Sequence, residues 1–201
     1  MKPAAVIFDL DGTIILSEES WGKAFGTVLK SLGVEETDNH PQTRGVSHKK
    51  NWENLIQKYN IKTTKPVDEL VTLTYVEYEK LIPMIKLNDG FWDFVDVLQE
   101  HNLPLALATQ TRWETTSKIL QHFDLEDIFE SVTTAEEVIL PKPDPDIFIL
   151  AAEKIGVERE DCLVIEDSNI GVKAARRAGM KVIKIIDGFS DVKLKEIMLL
   201  F

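Results

Sequence analysis

The chain has 201 residues, 44% hydrophobic and 28% charged, an ordinary globular composition long enough for one generous domain or a domain with a modest second lobe. Its net charge of -11 and pI near 4.9 set up a field that repels nucleic acid and anionic membrane, and the single cysteine, Cys162, excludes an internal disulfide. The N-terminal apolar run is broken at Asp9, too early for a signal segment or a membrane span, so the reading is a cytoplasmic protein.

Ala5 to Phe8 reads as a buried strand that leads into Asp9 and Asp11, with Gly12-Thr13 turning the chain. Residues i and i+2 of a strand share a face, so the two carboxylates leave its end pointing the same way. Helical periodicity follows. Ser17 is placed to cap a segment with Glu18 and Glu19 in its first turn, an apolar face of Trp21, Phe25, Val28, Leu29 and Leu32, and Gly33 as its stop. Glu35 to His48 is polar and reads as a loop. A second helix presents Trp52, Leu55, Ile56 and Tyr59; a third, opened by Pro66 and ended by Pro83, presents Leu70, Tyr75, Tyr78 and Ile82. Residues 16–86 are thus expected to form an all-helical insertion.

From Gly90 onward helices and short apolar strands alternate. A helix with Phe91, Phe94, Val95 and Leu98 precedes a strand from Leu103 to Ala108 that ends at Thr109; a helix from Trp113 to Phe123 precedes a weak strand at Ser131 to Thr134. Pro145 opens a helix closed at Gly156, Cys162 to Ile165 is a strand, Ile170 to Ala178 a helix closed by Gly179, and Lys181 to Ile186 a strand. Such alternation predicts right-handed βαβ units. The expected fold is α/β, a Rossmann-like doubly wound parallel sheet built from 1–15 and 87–201, with the 16–86 block inserted as a helical cap.

In open α/β sheets, ligands bind outside the carboxyl ends of the strands. Asp9, Asp11, Thr109, Glu166 and Asp167 all fall at strand ends, and Lys142 stands in a Pro-Lys-Pro loop before a helix. If they converge on a phosphate, the carboxylates repel by about 4 kcal/mol per unit pair at 4 Å and an effective dielectric near 20, which one lysine cannot balance. Hard oxygen ligands without His or Cys then suit Mg²⁺, bound through Asp9, Asp167 and a backbone carbonyl. With the charge neutralised, Asp9 is the candidate nucleophile, Asp11 the acid and base, and Thr109 and Lys142 the phosphate-binding pair.

Blander readings stand beside these. Asp9 to Thr13 can be an acidic turn, Thr109 and Glu166-Asp167 can be helix N-caps, and Lys142 can be a solvated loop lysine. Arg44, His48 and Lys49 read equally as a solvent-exposed loop or as substrate contacts. His40, His101, His122 and Cys162 show no ligand-like clustering.

In combination, Asp9-Leu10-Asp11-Gly12-Thr13, Thr109, Lys142-Pro143-Asp144-Pro145, and Glu166-Asp167-Ser168 with Gly171 and Gly179 resemble the four motifs of the haloacid dehalogenase superfamily of phosphohydrolases. The resemblance spans essentially the whole chain and is most similar to its sugar-phosphate phosphatase and β-phosphoglucomutase group. It implies a mobile cap, Mg²⁺, and the roles above, with the Asp11 carbonyl also a ligand and Glu166 a ligand or a carboxylate beside the ligands. Arg44 and His48, in a loop similar to that group's cap loop, are the candidate specificity residues.

Three positions depart from the family pattern. Leu16-Ser17 stands where an Asp-Ser pair is frequent, Trp21 where mutases carry a His, and His48 where they carry an Arg. Hydrolysis of a small phosphorylated metabolite is therefore expected ahead of a phosphosugar mutase. A signalling module phosphorylated on Asp9 is the rival from another class, but it has no evident use for the helical insertion. Oligomeric state is not legible in the sequence.

Overall fold

The structure, a computed structural model, describes residues 2–35, 41–186 and 188–189. Five parallel strands form one sheet: β1 (Ala5–Phe8), β2 (Leu105–Ala108), β3 (Ser131–Thr133), β4 (Cys162–Glu166) and β5 (Lys181–Lys184), in the order β3-β2-β1-β4-β5. The order reverses at β1, which pairs with β2 on one side and β4 on the other. Strands covered on both faces read as continuous apolar runs, and β1, β2 and β4 are buried at every residue.

Two compact units emerge, one of residues 1–16 and 86–201, the other of 17–85. In the first, Phe8 meets Phe91, Phe94 and Phe129 edge-on at 5.7 to 6.1 Å on one sheet face. Phe91 and Phe94 come from helix α4 (Phe91–Glu100). On the other face Ala5, Ile7 and Val164 share a core with Ile147, Phe148, Ala151 and Ala152 of helix α6 (Asp146–Lys154) and Ala174 and Ala175 of α7 (Asn169–Arg177). Helix α5 (Trp113–His122) lies between β2 and β3 in the chain. Cys162 is buried, and burial pushes its thiol up to about 11, so it stays protonated at neutral pH.

The second unit holds α1 (Glu18–Ser31), α2 (His48–Lys58) and α3 (Val67–Glu79) around an aromatic core. Trp21 lies flat on Tyr78, with centroids 3.5 Å apart and planes within 6°. The buried Trp52 donates its indole N–H to Thr74 Oγ1 at 2.9 Å, and that hydroxyl donates to the Leu70 carbonyl at 2.8 Å, so a large apolar body is buried without stranding its polar atom.

Three local details differ from the sequence reading. Helix α3 stops at Glu79, four residues before Pro83, because a proline ring clashes with the carbonyl of residue i−4; Ile82–Met84 becomes a 3-10 turn instead. Ser17 occupies the N-cap position of α1 without a side-chain capping bond, whereas Ser47 caps α2 by accepting from the Lys50 N–H at 3.3 Å. An antiparallel ribbon joins the stretches where the chain leaves and re-enters the first unit: Leu16 donates to the Lys86 carbonyl and Asn88 to that of Ile14, both at 2.8 Å. Among the described residues, no helix is long and apolar enough to cross a membrane.

Candidate active site

The β1–β4 pairing brings the ends of two strands side by side. Asp9 continues the ladder by donating its N–H to the Ile165 carbonyl at 3.0 Å, and β4 runs directly into Glu166 and Asp167. Carboxylate oxygens of Asp9, Glu166 and Asp167 lie within 4.8 Å of one another, and all three residues are buried. Asp11 is not in that group, so among the described residues three carboxylates converge rather than the four expected.

Lys142 enters from the loop before α6, which carries a cis Lys142–Pro143 bond. Only 4% exposed, it is no solvated loop lysine. Its Nζ donates to Asp9 Oδ1 at 2.5 Å, Glu166 Oε1 at 3.2 Å and the Ala108 carbonyl at 3.3 Å, and lies 4.5 Å from the Phe148 ring centroid. Burial pushes the Asp9 carboxyl well above the usual carboxylate range; Glu166 and Asp167 add to the rise, and Lys142 opposes it without cancelling it. Burial by itself lowers the Lys142 ammonium, but Asp9 and Glu166 overcome that and hold it up at about 12.

Two glycines make room for the carboxylates. Gly12 turns the chain after Asp11 with φ +84, and a Cβ there would overlap the Asp167 carboxylate, 2.7 Å from its Cγ. A Cβ on Gly171 would overlap the Glu166 carboxylate, 2.6 Å from Oε2. Gly171→Ala is therefore expected to displace Glu166 from Lys142, cost about 1–3 kcal/mol by overpacking, and lower activity. Urea melts together with phosphate release check both; a variant as stable and as active as the parent would show that Glu166 has room to move.

The capping alternatives resolve differently at each position. Ser168, not Glu166 or Asp167, is the N-cap of α7, accepting from the Gly171 N–H at 2.9 Å; Glu166 Oε2 accepts from the Ser168 N–H at 2.5 Å. The α5 N-cap position belongs to Arg112. Thr109, buried at the end of β2, accepts from the Thr111 N–H at 3.0 Å and donates its own N–H to the Thr133 carbonyl at 2.9 Å. Thr111 Oγ1 in turn donates to Asp11 Oδ2 at 2.6 Å.

Arg44 and His48 belong to the second unit. Arg44 Nε donates to Glu18 Oε1 at 2.6 Å. His48 sits 4.1 Å from Trp21, centroid to centroid, and its Nδ1 is 3.0 Å from the Tyr75 hydroxyl, so two of the departing positions touch each other. His40 lies outside the described residues. The other described histidines, His101 and His122, and Cys162 join no metal-capable group.

Three buried carboxylates facing one ammonium leave a site short of positive charge. An all-oxygen donor set could hold a hard divalent cation such as Mg²⁺, and Gly12 and Gly171 leave the space that the Asp167 and Glu166 carboxylates occupy.

Residues 6–185 match the family of haloacid dehalogenase-like hydrolases. The chain belongs to that family. It is thus an enzyme of the phosphoric monoester hydrolase type. It is 29% identical over 192 residues to a phosphorylated carbohydrates phosphatase of Thermotoga maritima, covering 94% of this chain and 88% of that protein. It is also 29% identical over 194 residues to the β-phosphoglucomutase of Bacillus subtilis, covering 92% and 84%. A crystal structure of CbbY from Rhodobacter sphaeroides in complex with phosphate shares the fold, with a TM-score of 0.81 at 24% identity over 94% of this chain and 88% of that one.

Within this haloacid dehalogenase-like site, two contributors escape the sequence reading. Thr111 carries no pattern that separates it from any other threonine near a strand end. Asn88 is buried, and its Nδ2 donates to the Thr13 carbonyl at 3.0 Å, pinning the turn that carries Gly12. Asn88 precedes α4 in a stretch with no periodicity, so no sequence pattern singles it out.

Proposed function

We propose that this enzyme hydrolyses the phosphate monoester of a small metabolite, a sugar or polyol phosphate, through an aspartyl-phosphate on Asp9. The observation that carries the reading is the buried group of Asp9, Glu166 and Asp167 against Lys142.

Asp9 attacks phosphorus through a carboxylate oxygen, forming the acyl phosphate as the ester P–O bond breaks. Asp11 gives its proton to the departing alkoxide, leaving a free alcohol, and then takes a proton from the water that attacks the acyl phosphate. Inorganic phosphate leaves and Asp9 is regenerated. Lys142 and Thr109 hold phosphoryl oxygens, where charge changes most between ground and transition state. Mg²⁺, when held by Asp9, Asp167, Glu166 and the Asp11 carbonyl, supplies the positive charge that lets carboxylates and phosphate share one site.

Hydrolysis is favoured over mutase chemistry by Trp21, which stands where the mutase pattern has a His and is instead buried and stacked on Tyr78. The T. maritima relative's name supports a carbohydrate phosphate as substrate. A panel of phosphorylated sugars, polyols and short acids, assayed for phosphate release with Mg²⁺ and with chelator, tests the reading. Release is expected from at least one sugar or polyol phosphate, falling more than about 100-fold on chelation and returning with Mg²⁺. Undiminished release in chelator, or isomerisation of a hexose 1-phosphate without phosphate release, would refute it.

A further inference from the structure

We propose that Thr111 is a positioning residue for the proton-transfer step, holding the Asp11 carboxylate and tying it to Thr109. The inference rests on the reading of Asp11 as the proton donor given above. Asp11 lies two residues beyond Asp9, past the end of β1, where its backbone forms an isolated parallel bridge with Ile15. Thr111 holds the Asp11 side chain: its hydroxyl donates to Asp11 Oδ2 at 2.6 Å, a short hydrogen bond.

The backbone that carries the hydroxyl is itself anchored. Thr111 is 2% exposed, its N–H donates to Thr109 Oγ1 at 3.0 Å, and its carbonyl accepts from the Thr116 hydroxyl at 3.4 Å and the Ala135 N–H at 3.5 Å. One residue thus joins a candidate phosphate-binding hydroxyl to the candidate acid from a backbone anchored to both α5 and the segment after β3. A donor on Oδ2 also biases proton exchange toward Oδ1. Misplacing a catalytic group by a fraction of an ångström lowers the rate even when substrate binding is unchanged, so Thr111 acts on turnover through Asp11.

The test compares kcat/KM for phenyl phosphate and 4-nitrophenyl phosphate, which are similar in shape but differ in how much their leaving groups need a proton. In one sample the ratio of the two is independent of the amount of folded enzyme. Asp11→Asn is expected to lose about 100-fold or more on phenyl phosphate and much less on 4-nitrophenyl phosphate. Thr111→Val, which keeps the shape and removes the hydroxyl, is expected to shift the ratio the same way by about 10-fold, and Thr111→Ser to return it to the parent value. Equal losses on both substrates in Thr111→Val, with Asp11→Asn selective, would overturn the inference and leave the reading of Asp11 intact. Equal losses in Asp11→Asn would overturn that reading, and the role of Thr111 with it.

Discussion

Asp9→Asn is expected to abolish phosphate release, with a loss of at least about 10⁴-fold, because an amide oxygen neither attacks phosphorus nor forms an acyl phosphate that water can cleave. The same substitution is expected to leave the fold intact and, without Mg²⁺, to raise its melting temperature. Asp9 sits among Glu166 and Asp167 with its carboxyl raised well above its ordinary value of 3.8, chiefly by burial. A carboxyl raised in the folded state contributes stability below its unfolded value, and that contribution is lost as pH rises through the folded value. Above its ordinary value the raised Asp9 carboxyl is therefore a cost to the metal-free fold that Asn does not bear. The gain from the substitution should fade toward pH 4, where the parent carboxyl is protonated too. Melting curves from pH 4 to 8 in chelator, alongside turnover, check both halves. A variant that turns over normally would remove Asp9 as nucleophile; one that melts lower at every pH would show that its pairing with Lys142 outweighs its burial.

Lys142→Met is expected to have the second largest effect, on stability and rate together. Removing the ammonium leaves Asp9 and Glu166 buried without the cation that both contact, a change that costs about 3–5 kcal/mol for a buried pair losing one partner. In a chain of this length that corresponds to roughly 10 °C in melting temperature. Loss of a donor to the transferring phosphoryl group lowers kcat by about 10²–10³-fold.

The pH dependence separates this contribution from simple packing. Lys142 is raised to about 12 from an ordinary 10.5. The stability it supplies is complete below 10.5 and lost as pH rises through about 12. The parent should therefore lose stability across that alkaline window, and Lys142→Met should lose correspondingly less. Parallel alkaline melting curves for the two proteins would mean that the ion pairs contribute little and that Met fails only by its shape.

The architecture was legible because its signals are local. Apolar runs such as Ala5–Phe8 and Leu105–Ala108, short and bounded by turn residues, read as strands covered on both faces, and the 3.6-residue spacing of Trp21, Phe25, Val28 and Leu29 reads as one side of a helix. Boundaries were less so. Pro83 marks the end of α3 in the sequence, yet its effect reaches back four residues to Glu79, and Ser17 holds a cap position without a side-chain capping bond.

What the sequence by itself determined is the chemistry on offer: acids at strand ends, a lysine between prolines, and glycines at 12 and 171 that match a known family pattern. Only the tertiary structure decided how these share their charges. Strand order sets Asp9 beside Glu166 and Asp167, and burial together with the reach of Lys142 makes them one electrostatic unit. The fourth acid, Asp11, is not in that metal-capable group, and its Oδ2 accepts from Thr111, 100 positions along the chain. Periodicity reports which face a residue occupies; a hydrogen bond between two loop side chains depends on distances that no repeat in the sequence encodes.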